Sequence, residues 1–178
     1  KHPGDHIYLL GETHQELGAS ELAFMFRDEG SGGIGGEVPR INPERNLAMY
    51  RALTSAMSEG LVASAHDCSD GGLAVALSEC CFGSGSGASV DITSLERDCN
   101  HLDEWGALFG ESLGRILVSV TPQDSDAFAA AMKGNSCSRL GTVEEGDKIT
   151  VSYGDTEVLQ ASMSELKKSW QSSLGGDS

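Results

Sequence analysis

The residues with most chemistry to offer lie in one stretch, SAHDCSDGGLAVALSE, from Ser64 to Glu79. An apolar strand ends there in a polar turn carrying His66, Asp67, Cys68, Ser69 and Asp70, and paired glycines, Gly71 and Gly72, open a helix. The first turn of a helix leaves backbone N–H groups unpaired and carries a partial positive charge, a ready place for an anion. Glycine has no Cβ, so a phosphate or another stretch of backbone can approach closely. This pattern predicts an anion held by the N–H groups of Gly71, Gly72 and Leu73, with Ser69 assisting. A plainer arrangement uses the same residues: Ser69 or Asp70 caps the helix and Asp67 is solvated. The charges of Asp67 and Asp70 also oppose an anion unless a cation or an amine intervenes.

Other chemistry-bearing residues give weaker signals. His66 either contacts a ligand or is a hydrogen-bonded structural histidine. Cys68 has no base placed beside it by sequence and reads as a packing residue. His2 and His6 fall on a strand-like terminus, which does not make a metal site. Glu12 and Glu21 either face a cleft or are solvated, Glu21 as a first-turn helix charge. The run Gly30–Gly35 (GSGGIG) fits G-x-G-x-x-G, but a dinucleotide fingerprint needs a strand before it and a helix after it. Here a helix precedes and Glu37-Val38-Pro39 follows, so the run is a connector. Gly83–Ala88 (GSGSGA) has the order wrong in the same way.

The elements that must position these groups are read from periodicity and caps. His6–Leu10 is a strand; Ser20 caps a helix from Glu21 to about Asp28. Asn42-Pro43 starts a helix with Leu47, Tyr50, Leu53 and Met57 at helical spacing, closed by Gly60. Leu61–Ala65 is a short strand, Leu73 to about Cys81 a helix, and Ala88–Ile92 a strand. His101–Phe109 is helical, Arg115–Val120 a strand and Ser125–Met132 a helix. Arg139–Val143, Ile149–Tyr153 and Glu157–Leu159 are strands, the last two a hairpin across Gly154-Asp155. Ser164–Ser172 closes as a helix, with a mobile tail over Gly175–Ser178. Irregular alternation with a hairpin predicts one α+β domain with a mixed sheet, rather than a doubly wound one.

Composition narrows the partners. Lys and Arg number 12 against 27 Asp and Glu in 178 residues, a formal charge of −15. That surface repels nucleic acid and anionic lipid, so neither is an expected partner, and no apolar run is long enough for a membrane helix. The five cysteines are an odd number with no C-x-x-C spacing, which predicts reduced thiols in a cytoplasmic protein. The chain starts at Lys1, straight before a strand-like segment, which reads as a piece of something longer.

The signature AHDCSDGGLAVALSE resembles that of phosphoribosylformylglycinamidine synthase, an amidotransferase-type ligase of purine biosynthesis. Ile7–Glu21 (IYLLGETHQELGASE), Leu108–Val120 (LFGESLGRILVSV) and Val158–Trp170 (VLQASMSELKKSW) are similar to further segments of that family, in order. The resemblance implies a C-terminal domain of the aminoimidazole ribonucleotide synthetase superfamily, three-layer α/β/α with a mixed sheet. It implies the second copy of this domain in the synthetase subunit, because HDCSDGG and GETHQELGASE resemble that copy's forms.

The implied reaction converts formylglycinamide ribonucleotide, ATP and glutamine-derived ammonia to the amidine, ADP and phosphate, with magnesium. Implied partners are an N-terminal-type domain of the same subunit, a glutaminase and the ribonucleotide; an apolar face left without that domain is expected to let the isolated chain self-associate as a homodimer. The ligand-contacting set implied is His66, Asp67, Ser69, Asp70, Gly71 and Gly72, with Glu12, Ser20, Glu21, Glu111, Ser112 and Arg115 around the cleft. No residue here is assigned to catalysis and none to a metal. Two departures point to the auxiliary half of the subunit, which keeps a bound nucleotide as a structural element. Glu111-Ser112-Leu113 stands where the first copy has a substrate-contacting Glu-Ser-Gln, and Gly18-Ala19 stands for Gly-Gly. The rival readings are another enzyme of the superfamily, such as a selenophosphate synthetase, thiamine-phosphate kinase or hydrogenase-maturation protein, and a non-catalytic ligand-binding or scaffold module.

Overall fold

In the computed structural model of the chain, residues 1–26, 36–83, 85–95 and 102–173 are described. The elements run β1 (His6–Leu10), α1 (Glu21–Met25), α2 (Pro43–Ser58), β2 (Ser64–Asp67), α3 (Gly72–Phe82), β3 (Gly87–Asp91) and α4 (Glu104–Phe109). After these come β4 (Ile116–Val120), α5 (Ser125–Ala131), β5 (Cys137–Glu144), β6 (Lys148–Tyr153), β7 (Thr156–Ser162) and α6 (Met163–Ser173). The strands form one sheet in the order β2-β4-β1-β5-β3-β6-β7. Every pairing is antiparallel except β3 with β6, so the sheet is mixed.

Because successive strand residues point to opposite faces, β1 feeds two cores. Ile7 and Leu9 join Leu117 of β4 and meet Leu73 and Leu77 of α3 and Leu108 of α4. Tyr8 and Leu10 join Val118 and Val120 and meet Met49, Leu53 and Ala56 of α2 and Phe128 of α5. The result is the expected three-layer α/β/α arrangement. Caps fix where the helices begin: Ser20 Oγ accepts from Ala23 N at 3.2 Å, Asn42 Oδ1 from Arg45 N at 3.2 Å, and Asp103 Oδ1 from Gly106 N at 2.8 Å.

Three sequence expectations are corrected. The strand expected at Leu61–Ala65 is Ser64–Asp67, because only those residues pair along β4, so His66 and Asp67 belong to the strand and not the turn. On α2 the core takes Met49, Leu53 and Ala56; Leu47, Tyr50 and Met57 of the expected stripe face outward at 49, 38 and 51% exposure. Helix α4 starts at Glu104, after its cap, not at His101. The Gly30–Gly35 motif, Cys99, His101 and the tail from Gly175 lie outside the described residues.

Helix α6 is held at its start by a residue from another loop. Asp147, before β6, accepts from Ser162 Oγ at 2.8 Å, Ser164 Oγ at 2.9 Å and Ser164 N at 3.0 Å. The Ser162 hydroxyl first, then that of Ser164, holds the carboxyl below its usual 3.8. A depressed acid contributes stability above its unfolded value and loses it as pH falls through the folded one. Trp170 lies 5.7 Å from Phe82, ring centre to ring centre, and reports on this helix. Its near-UV signal is expected to weaken below about pH 4 in the wild type. Asp147→Asn is expected to lose most of that pH dependence.

Candidate functional site

The expected site residues gather at one end of the sheet, around the loops after β1 and β2 and before β4. A cleft of about 420 Å³ is lined by Asp67, Cys68, Ser69, Asp70, Glu111 and Arg115, together with Tyr50 of α2 and Leu113. A neighbouring cleft of about 300 Å³ is lined by Glu12, His14, Glu16, Arg40, Arg45 and Asn46, and Leu113 borders this one too. Leu113 is 48% exposed on the ridge between them.

The anion expected at the start of α3 is supplied by the protein itself. Glu111 Oε1 accepts from Gly71 N at 2.9 Å and from Glu21 N at 2.9 Å, bridging the starts of α3 and α1. Gly72 N donates to Ser69 O at 3.0 Å. The glycine pair therefore brings protein to protein. A Cβ on Gly72 would lie 2.5 Å from Gly110 O and 2.8 Å from Leu108 O, and the residue has φ +67°. The reading of Gly71 and Gly72 as open phosphate donors is corrected accordingly: one N–H is held by a carboxylate and the other by a carbonyl.

The remaining expected residues divide. His66 Nε2 is 2.9 Å from Glu79 Oε2 on α3, which ties β2 to that helix and keeps His66 out of the cleft lining. Asp67 accepts from Ser69 Oγ at 2.5 Å, and that bond chiefly lowers its pKa. Ser112 Oγ accepts from His14 N at 3.0 Å, and Ser20 is the buried cap of α1, so both hold loops in place. Glu12 accepts from Arg45 Nη1 and lies 3.7 Å from His14 Nε2. Ala19 has φ +60°, a left-handed conformation costing an L-residue roughly 1–2 kcal/mol, at the position where the resemblance expects glycine.

Arg115 is the unusual member. It is 1% exposed; Nη2 donates to Gly110 O, Nη1 to Thr13 Oγ1 at 3.4 Å, and Nε has no partner among the described residues. Burial lowers its pKa, while the fields of Cys68, Glu16 and Glu111 offset part of that. Glu16 is 6% exposed, with Oε1 accepting from Arg40 N at 3.0 Å and Oε2 unpartnered. Sequence reasoning missed Glu16 and Thr13, since a lone loop carboxylate or hydroxyl carries no signal of burial.

Burial pushes the Cys68 thiol up to about 11, although Arg115 pulls the other way. From an ordinary value of 9.0, that means about a hundredfold less thiolate at neutral pH. Cys68 is expected to alkylate at least tenfold more slowly with iodoacetamide in the folded chain than in urea, followed by peptide mass spectrometry.

Chemically the first cleft has three carboxylates against one guanidinium. It suits a donor-rich or cationic group better than a bare phosphate. Among the described residues no group of three or more His, Cys, Asp or Glu side chains could hold a metal ion. No helix among the described residues is long and apolar enough to cross a membrane.

A mixed sheet between helical layers, with its loops gathered into a cleft at one end, defines an α+β domain of three layers. A family model described as AIR synthase related protein, C-terminal domain, matches residues 2–154, and the chain belongs to that family. The fold is similar to PurL of Thermotoga maritima solved with FGAR, at TM-score 0.79 and 22% identity over 93% of this chain and 28% of that one. PurL of the same organism solved with ATP matches at TM-score 0.74 and 21% identity, over 93% of this chain and 26% of that one. HypE in a HypE–HypF complex matches at TM-score 0.63 and 15% identity, over 91% and 53%. The chain thus spans about a quarter of the PurL chains and about half of HypE.

Proposed function

We propose that this chain is the C-terminal domain of a synthetase subunit that converts formylglycinamide ribonucleotide, ATP and glutamine to formylglycinamidine ribonucleotide, ADP, phosphate and glutamate. The observation that carries the proposal is the Ser64–Glu79 signature, in a chain of the AIR synthase C-terminal family, folded so that its turn and Glu111 line one cleft. The fold's likeness to PurL solved with FGAR and with ATP supports the same reading. In it the chain furnishes one wall of a cleft, and an N-terminal-type domain of the same subunit furnishes the phosphate and magnesium contacts. Glu111 holds the Gly71 N–H and Ser69 O the Gly72 N–H, so two of the three backbone donors expected for a phosphate at the start of α3 are already engaged. A glutaminase component supplies ammonia.

Within that reading the chain is the second, auxiliary copy. A glutamine at position 113 donates and accepts hydrogen bonds; Leu113 does neither, and its half-exposed side chain suits contact with the neighbouring domain. In a full subunit, Leu113→Gln is expected to leave turnover within about twofold, and Leu113→Ala to lower stability by about 1 kcal/mol with turnover intact. A large fall in turnover with unaltered stability for either variant places this copy at the working site.

The isolated chain is expected to show no ATP-dependent amidine formation and no melting shift with ATP, ADP or the ribonucleotide. Adding the N-terminal-type domain is expected to restore a nucleotide-dependent shift. Amidine formation by the chain alone would overturn the assignment. A nucleotide shift in the chain alone, with no turnover in the joined subunit, would favour the ligand-binding or scaffold alternative.

A further inference from the structure

Helix α1 buries none of its own residues. Met25 and the following Phe26 are 74 and 72% exposed. A helix of five residues has little stability of its own in water. Two fasteners at its start are the Ser20 cap and the Glu111 carboxylate on Glu21 N–H.

Beside it lie two apolar grooves that share one wall. Leu17, Leu22 and Phe26 line the first, and Leu108, Val158 and Leu159 the second; Trp105, 49% exposed, borders both. Exposed Met25, Phe26 and Trp105 beside these half-buried apolar walls mark an interaction surface. Among the described residues that line the grooves, the charged ones are the carboxylates Asp103 and Glu104.

Those charges choose the occupant. A symmetric contact between two copies would bring two acidic rims of this kind together, between molecules that each carry a formal charge of −15. Anionic lipid is repelled for the same reason. An apolar segment flanked by cations satisfies both the grooves and their rim. We propose that the α1–α4 face docks a basic amphipathic helix of another polypeptide. Apolar side chains from successive turns enter the grooves on either side of Trp105, and lysines or arginines meet Asp103 and Glu104. The proposal stands independently of the reaction above.

The test is calorimetric titration of the chain with a designed amphipathic peptide, leucines along one face and lysines along the other, and with its glutamate-for-lysine counterpart. The lysine peptide is expected to bind at least about tenfold more tightly, and Trp105→Ser and Phe26→Ser each to weaken it about tenfold or more. Met57→Ser, exposed on α2 across the sheet, is expected to leave the affinity unchanged, and all three variants to keep the wild-type melting temperature. Equal affinity for the two peptides overturns the proposal, as does absence of binding or indifference to Trp105→Ser and Phe26→Ser. Self-association of the chain that Trp105→Ser abolishes also overturns it, and assigns the face to a second copy.

Discussion

Gly72→Ala is expected to destabilise the domain by about 3 kcal/mol or more, against a total stability of about 5–15 kcal/mol for a domain of ordinary size. Two costs add. The left-handed backbone, φ +67°, costs an alanine roughly 1–2 kcal/mol. The new methyl group would also meet the carbonyl oxygens of Gly110 and Leu108 at 2.5 and 2.8 Å, and backbone cannot turn aside as a side chain does. Overpacking of that kind costs about 1–3 kcal/mol. Gly60→Ala separates the two costs, since Gly60 has φ +77° but nothing within 4 Å of a new Cβ. The urea midpoint of Gly72→Ala is expected to fall well below that of Gly60→Ala. Equal midpoints would show that α3 does not press on the loop before β4, and the Glu111 bridge would lose its geometric basis.

That bridge separates what was readable in the sequence from what was not. Signals confined to neighbouring residues were legible: the HIYLL strand, the Ser20 and Asn42 caps, and the hairpin at Gly154-Asp155. Each depends on side chains reaching backbone a few residues away, or on period-two apolarity. Contacts between distant residues were not. Glu111 is 40 positions from Gly71 and 90 from Glu21, so nothing in the local pattern around either residue names it as the anion. A glycine pair opening a helix signals close approach but not whether ligand or protein does the approaching. The α2 stripe failed for a related reason. Leu47 and Tyr50 have helical spacing, yet the sheet selects the rotation that buries Met49, Leu53 and Ala56. The outward apolar residues left by that choice carry information about neighbours, which periodicity alone assigns to the core. Burial of Arg115 was invisible too. The sequence places it at the first position of an apolar strand and beside the cleft, but neither signals burial, and arginines are rarely buried unless paired.

Arg115→Ala is expected to lower stability by about 3–5 kcal/mol, the cost of breaking a buried charge arrangement by removing one member. Several losses coincide. A large side chain leaves a cavity, Gly110 O loses its guanidinium donor, and the carboxylates of Glu16 and Glu111 lose the nearby cation. Packing and charge are separated by Arg115→Met, which fills much of the volume without the charge. If packing dominated, methionine would cost little, because apolar groups replace buried ionic ones cheaply when the whole arrangement is replaced. Here the arrangement is only half removed. Glu16 is 6% exposed with one oxygen already unpartnered, so Arg115→Met is expected to cost about 2–4 kcal/mol. Adding Glu16→Gln to Arg115→Met then removes the uncompensated charge and is expected to restore about 1–2 kcal/mol, a coupling of the size seen between contacting groups. Urea denaturation of the two single variants and the double variant measures it. Strict additivity would mean that Glu16 and Arg115 do not sense each other. The two clefts bordered by Leu113 would then be electrostatically separate, rather than coupled through the field between the buried Glu16 of one and the buried Arg115 of the other.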